Sequence, residues 1–274
     1  MRRRFVPALC SLVGAAAALS GCGASQVVDP VARAATATLG AQGYKMSAVM
    51  TVTGASAPVS ATMTGSIDAT SNSGTMTIDE VVDRQHIRAP MIFSQLNFWM
   101  RSSAIAGAAQ RTGGKAWIYV DMNKALGAMG VGSLPSTVNP SQFLDYLRTA
   151  GANPSRVGTL SIHSVRTTEY RALVSLDRYA QQYHVAAATI SALEKAMGSH
   201  TMPVEAWVDS QNRVRRIQVA FPECVEGTKL RFSMTMGIYA FGPQPQAQIP
   251  ARNAVYNLTP KLATAARSLK LGCG

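Results

Sequence analysis

The chain has 274 residues, 47% hydrophobic and only 15% charged, with 26 Lys+Arg against 14 Asp+Glu for a net charge of +12. Such a length buries a core in one large domain or two small ones, and the low charge argues against a disordered chain. Four Cys and four His exclude a ferredoxin, a zinc-rich protein and a mini-protein held by many disulfides, while the basic balance raises nucleic acid or an anionic surface as partner.

Arg2-Arg3-Arg4 forms a basic n-region, and Phe5 to Leu19 is an apolar run broken only by Pro7, Ser11 and Gly14. The run is shorter than the roughly 20 residues that span a bilayer, which marks it as a signal-peptide h-region. It ends in Leu19-Ser20-Gly21-Cys22, which resembles the lipobox of bacterial lipoproteins. The resemblance implies a diacylglyceryl group on the Cys22 thiol and cleavage just before it. Residues 1–21 are then a lipoprotein signal peptide and 22–28 a lipidated tether. Two acyl chains on one residue suffice for stable anchoring, here at the outer face of the cell membrane.

Cleavage removes three Arg and no acid, leaving a net charge of +9. Cys10 departs with the signal and Cys22 carries lipid, so Cys224 and Cys273 remain. Outside the cytoplasm the two are expected to pair, closing a loop of about 50 residues and pinning the tail. Two unpaired thiols are the alternative. His86, His163, His184 and His200 show no ligand spacing to one another or to these cysteines, so no metal and no cofactor is expected.

From residue 29 the chain reads as strands punctuated by capped helices. Asp29-Pro30 opens an Ala-rich helix that Gly40 stops. Alternation then puts Met46, Ala48, Met50 and Val52 on one face, followed by Val59, Ala61, Met63, Gly65 and Ile67. It continues through Gly74, Met76 and Ile78, and through Ile87, Ala89, Met91 and Phe93. Period 2 with one polar face predicts an antiparallel sheet with one wet side. Leu96 to Ala109 reads as a helix or lid, ahead of a strand Trp117 to Val120 and a Gly-rich loop through Ser136. Asn139-Pro140 opens a helix with Phe143, Leu144 and Leu147, and strands follow around Val157 to Val165 and Glu169 to Leu176. Ile190, Leu193 and Met197 have helical spacing. Strands Pro203 to Val208, Val214 to Phe221 and Lys229 to Ala240 come next, the last alternating Leu230, Phe232, Met234, Met236 and Ile238. Thr259-Pro260 caps a final helix that Gly272 ends. The sum is about nine to eleven strands and four or five helices, an α+β domain over residues 29–258 with a C-terminal helix and tail at 259–274.

Several strands in order carry a family resemblance. Gly158-Thr159-Leu160 with Arg166-Thr167-Thr168-Glu169-Tyr170-Arg171-Ala172-Leu173-Val174-Ser175-Leu176 resembles a stretch of the LppX/LprAFG family of actinobacterial lipoproteins. So do Lys115-Ala116-Trp117-Ile118-Tyr119-Val120 and the hairpin Met202-Pro203-Val204-Glu205-Ala206-Trp207-Val208-Asp209 with Val214-Arg215-Arg216-Ile217. The resemblance covers about residues 30–242. It implies a fold like that of the lipoprotein carrier LolA: a single strongly curved antiparallel sheet, a half-barrel, with helices covering its concave face. It further implies an apolar cavity for the acyl chains of a lipid or glycolipid. Ser164 and Asn212 stand where the family has Gly, and the Cys224–Cys273 pair and the tail after Gly242 are not family hallmarks.

Methionine is the residue-level signal for such a cavity. Met46, Met50, Met63, Met76, Met91, Met234 and Met236, with Phe232, fall on the apolar faces of predicted strands. Flexible, polarizable thioethers suit a site that accepts varied acyl shapes, though the same residues also make an ordinary core. No G-x-S-x-G, H-E-x-x-H, P-loop or G-x-G-x-x-G occurs, so the chain is not expected to be an enzyme. Arg213, Arg215, Arg216, Lys261, Arg267 and Lys270 offer contact with anionic lipid or wall polymer, or simply a basic surface; nucleic acid is not expected outside the cell. Two functions remain: a lipid-binding carrier in the cell envelope, or a non-transport sensor or docking module of the same fold that regulates a protein partner.

Overall fold

The computed structural model describes residues 29–54, 58–82, 85–104, 108–128, 140–149, 154–225 and 227–266. Alternating side chains lay twelve strands into one open sheet. They are β1 (Gly43–Thr53), β2 (Val59–Asp68), β3 (Ser73–Val82), β4 (Gln85–Ser94), β5 (Asn97–Arg101), β6 (Trp117–Asp121), β7 (Ser155–Ile162), β8 (Val165–Ser175), β9 (Thr201–Asp209), β10 (Val214–Val225), β11 (Thr228–Tyr239) and β12 (Val255–Asn257). Their spatial order is β12-β6-β5-β4-β3-β2-β1-β11-β10-β9-β8-β7. Strands β1 to β6 make one meander and β7 to β11 a second, and the antiparallel β1–β11 pair joins them. Among the described residues only β12 departs from antiparallel order, pairing with β6 in parallel.

The sheet is strongly curled. His163, on the β7–β8 turn, has its ring 5.3 Å from that of Tyr239 on β11. In a flat sheet, strand spacings of about 4.8 Å would put β8 and β11 roughly 14 Å apart. Gly65 and Gly74 permit a close approach of β2 and β3. A Cβ on Gly65 would collide with the Thr75 carbonyl oxygen, and one on Gly74 with that of Ser66.

Seven helices accompany the sheet among the described residues: α1 (Pro30–Leu39), α2 (Ala108–Thr112), α3 (Met122–Ala128), α4 (Pro140–Arg148), α5 (Leu176–Tyr183), α6 (Ala187–Met197) and α7 (Thr259–Ala266). In α1, Asp29 caps the amides of Val31 and Ala32, and Val31, Ala34, Ala35 and Thr38 are buried. The Thr38 hydroxyl donates to the Ala34 carbonyl at 2.8 Å and accepts from the Val214 amide at 2.8 Å, tying α1 to β10. The Asp121 amide donates to the Thr259 hydroxyl at 2.9 Å, which holds the start of α7 at β6.

Three local expectations change. Leu96 to Ala109 is not a helix: it contains β5, a 3-10 turn at Ser102–Ala104 and the start of α2. Phe98 and Trp99 are both buried, on opposite faces of β5, so the polar alternation that reveals a strand is missing. Second, α5 was not anticipated. Third, the strand number rises to twelve because β5 and the three-residue β12 carry too little pattern to be seen. Ser164 (φ 63) and Asn212 (φ 55) take the left-handed backbone conformation. Asn enters that region readily, and Asp209 supports its turn by accepting from the amides of Gln211 and Arg213, each at 2.9 Å.

Candidate functional site

Every predicted cavity residue lies on one face of the sheet. Cross-strand register aligns Ile238, Met46, Gly65, Met76, Met91, Met100 and Ile118 in a row from β11 to β6. The next row runs Ala206, Ile217, Met236, Ala48, Met63, Ile78 and Ala89 from β9 to β4. A third contains Val219, Met234, Met50, Ala61 and Glu80, and a fourth Phe221, Phe232, Val52 and Val59. Long thioethers thus sit beside Gly and Ala on neighbouring strands, and the large side chains have small ones to lie across.

Burial grades along the strands. Met46 (1%), Met63 (6%), Met76 (2%), Met91 (4%), Phe232 (5%), Met234 (2%) and Met236 (1%) are almost sealed. Met50, Val52, Ile78 and Phe221 are only partly buried, and Val59 is exposed. The face is therefore closed near the start of β1 and looser near its end, where Glu80 adds a carboxylate to the rim. The buried cluster extends through Val31 and Ala34 of α1, Phe143 and Leu147 of α4, Leu176 of α5 and Ile190 of α6. The sequence marks Phe143, Leu147 and Ile190 as helix-spaced apolar residues, but helix spacing alone does not say which strand a helix covers, and Leu176 reads there as the end of a strand.

A polar island interrupts the apolar packing. The Tyr183 hydroxyl donates to the Asp145 carboxylate at 2.9 Å, and Arg148 lies 3.4 Å from the same oxygen. Tyr179 stacks between Tyr146 and Tyr183, with centroids 4.4 and 4.7 Å apart. Burial first, then the Asp145 charge, pushes Tyr183 up to about 12 and Tyr44 and Tyr179 higher still; burial and the Tyr179 hydroxyl do the same for Tyr146. All four stay protonated at neutral pH. The Tyr44 hydroxyl is fully buried and has no hydrogen-bond partner among the described residues.

The basic cluster beside the β9–β10 turn faces inward rather than to solvent. The Asp209 side chain, 1% exposed, accepts from Arg215 Nε at 2.7 Å and Arg213 Nε at 3.3 Å. Both guanidinium groups also lie over the Phe241 ring, at 4.8 and 4.4 Å, and that ring meets Tyr44 at 6.0 Å. Burial alone would raise the Asp209 carboxyl, but the Arg213 amide, the Arg215 bond and both charges outweigh it and hold the group below the usual carboxylate range. Arg216 covers Trp207, and Lys261 lies over Tyr256. Arg267 and Lys270 fall outside the described residues, as do Cys22, Cys273 and the side chain of Cys224. No group of three His, Cys, Asp or Glu able to hold a metal occurs among the described residues, and no described helix is long and apolar enough to cross a membrane.

No family model and no curated protein matches the sequence. Solved structures do. The chain is similar to the Mycobacterium tuberculosis lipoprotein LppX, at 10% identity over 80% of this chain and 96% of that one, with a TM-score of 0.48. It is similar to LprF of Mycobacterium bovis at 13% identity, over 81% and 95% of the two chains, with a TM-score of 0.45. A third likeness, to the MucA/MucB complex of Pseudomonas aeruginosa, has 10% identity, covers 82% of this chain and 59% of that one, and has a TM-score of 0.30.

Proposed function

We propose that the chain is a lipoprotein anchored through Cys22 at the outer face of the cell membrane, whose Met-lined face holds the acyl chains of a lipid or glycolipid and carries or presents it in the envelope. The observation that carries this reading is the apolar face itself. It is continuous from β9 to β6, built of thioethers interleaved with Gly and Ala, lined by helices and loosened at one end. Thioether chains change rotamer at little cost, so an acyl chain entering from the loose end can displace them. Shielding a sixteen-carbon chain removes roughly 12 kcal/mol of hydration cost, at about 0.8 kcal/mol per CH2. A bilayer gives similar shielding, so exchange between membrane and protein is nearly isoenergetic and needs no chemistry. The protonated tyrosines around Asp145 are hydrogen-bonding groups in this scheme, not acids or bases.

The near-complete burial of Met46, Met76, Met234 and Met236 favours a second reading. A face filled by its own side chains belongs to a sensor or docking module that acts on a protein partner. Native mass spectrometry of residues 24–274, which contain every described element, separates the two. A discrete added mass that organic extraction releases as lipid supports the carrier. Apo protein that also takes up no fluorescent acyl probe refutes it and leaves the sensor.

A further inference from the structure

We propose that the polar face of the sheet carries a second binding site, separate from the acyl site, for an acidic glycan chain. An open cleft of about 620 Å³ lies there, over the outward residues of β1 to β6, and it also touches Gly65, Met76 and Met91 of the apolar rows. Its floor combines hydroxyls on β2 and β3 with Pro90 and Ile92 on β4. Ser66 and Thr75 face each other across β2 and β3, as do Thr64 and Thr77, and the Ser66 and Thr75 hydroxyls are 3.4 Å apart. One cation stands at each side, Lys45 on β1 and Arg101 on β5, four strands and about 19 Å apart along the sheet. Both are exposed. Each cation adjoins an aromatic wall: Lys45 pairs in register with Tyr239, and Arg101 with Trp117, whose ring its guanidinium covers at 4.6 Å. Behind Trp117, Trp99 packs on Tyr119 with centroids 5.3 Å apart, which makes that wall rigid.

No acid lines the cleft. The nearest acid along this face of β3, Asp79, sits beyond Thr77 and is paired with Arg88 at 3.9 Å. The lining therefore has a net charge of two positive units, with four hydroxyls between them. A ligand that matches it is rich in hydroxyls, carries sparse negative groups spaced several sugar units apart, and presents C–H faces to aromatic edges. Arg101 supplies a planar fork for a carboxylate or phosphate, and Lys45 a point charge. A nucleic acid fits less well, since it asks for cations at every phosphate and for bare rings on which bases stack. Here Trp117 is covered by Arg101, and Tyr239 by His163.

The test titrates the full-length chain, kept in non-ionic detergent, with a deacylated gellan octasaccharide, which carries one glucuronate in every four sugars, a neutral dextran oligosaccharide and a single-stranded oligonucleotide, reading tryptophan fluorescence and calorimetric heat. The expected result is saturable gellan binding that weakens at least fivefold in Arg101→Gln and in Lys45→Gln, with no response to dextran. Both side chains are exposed, so both variants are expected to keep the wild-type melting temperature, and their acyl-probe uptake should be unchanged. That last readout separates this site from the acyl site, so either can fail alone. Absence of gellan binding, binding indifferent to both substitutions, or tighter binding of the oligonucleotide would overturn the assignment.

Discussion

Replacing Tyr44 by Phe removes a single oxygen from the closed end of the apolar face. The ring is 0% exposed and rests on Phe241, while the hydroxyl finds no partner among the described residues. A buried hydroxyl without a hydrogen bond costs about 1–3 kcal/mol, and loss of its few packing contacts returns a fraction of that. Tyr44→Phe should therefore stabilise the fold by about 1 kcal/mol, which for a chain of this size raises the melting temperature by about 2–4 °C. Urea unfolding at neutral pH reads the change directly, as a higher midpoint with an unaltered slope. The gain should widen in alkali. Burial and the Asp145 charge raise the folded-state pKa of Tyr44 above its ordinary 10.0, so the unfolded chain releases this proton first. Stability held by the wild type below pH 10 is then lost as pH rises, and the Phe variant escapes that part of the loss. A variant less stable than wild type by 1 kcal/mol or more would refute the reasoning, because it would mean that the hydroxyl is satisfied.

Thr38→Val should cost about 1–3 kcal/mol in the same assay, since the Val214 amide loses its acceptor inside the α1–β10 contact. Asp209→Ala should cost about 2–4 kcal/mol by leaving Arg213 and Arg215 without their carboxylate, both guanidiniums being largely buried. Because the folded pKa of Asp209 is depressed, its stabilisation is present above the ordinary 3.8 and disappears as pH falls through the lower folded value, so acid unfolding of the wild type should converge on that of the variant. Gly65→Ala should destabilise by about 1–3 kcal/mol or more, measured by thermal melting, as the added Cβ meets the Thr75 carbonyl oxygen rather than a movable side chain.

Much of the sheet was legible because most of its strands have one wet face. In β1 to β4 and β11 the polar residues alternate with Met, Ala and Ile, and the period alone assigned Met46, Met63, Met76, Met91, Met234 and Met236 to one side. Where both faces are buried the signal disappears: Phe98 and Trp99 adjoin in β5, and the segment reads as a helix. Strand β12 is too short to show a period, and its parallel pairing with Trp117 to Tyr119 depends on where the chain returns. The polar cleft was invisible for a different reason. Lys45, Ser66, Thr75, Arg101 and Tyr239 are distant in sequence, and each by itself is an unremarkable residue; the register of β11 through β6 brings them to one surface.

The β1–β11 seam has a consequence for how the molecule comes into being. Strand β1 is synthesised early, but its partner edge on β11, Arg231 to Tyr239, follows nearly the whole sequence later. Until then the first meander ends in a bare β1 edge, Lys45 to Thr53, with unpaired amides and carbonyls along its length. Folding of this protein is thus a closing step rather than a growing one. The two meanders behave as halves of a clasp, and cutting the chain between β6 and β7 should leave two fragments that seek each other through the β1–β11 pair, helped by β12 on β6 and α1 on β10.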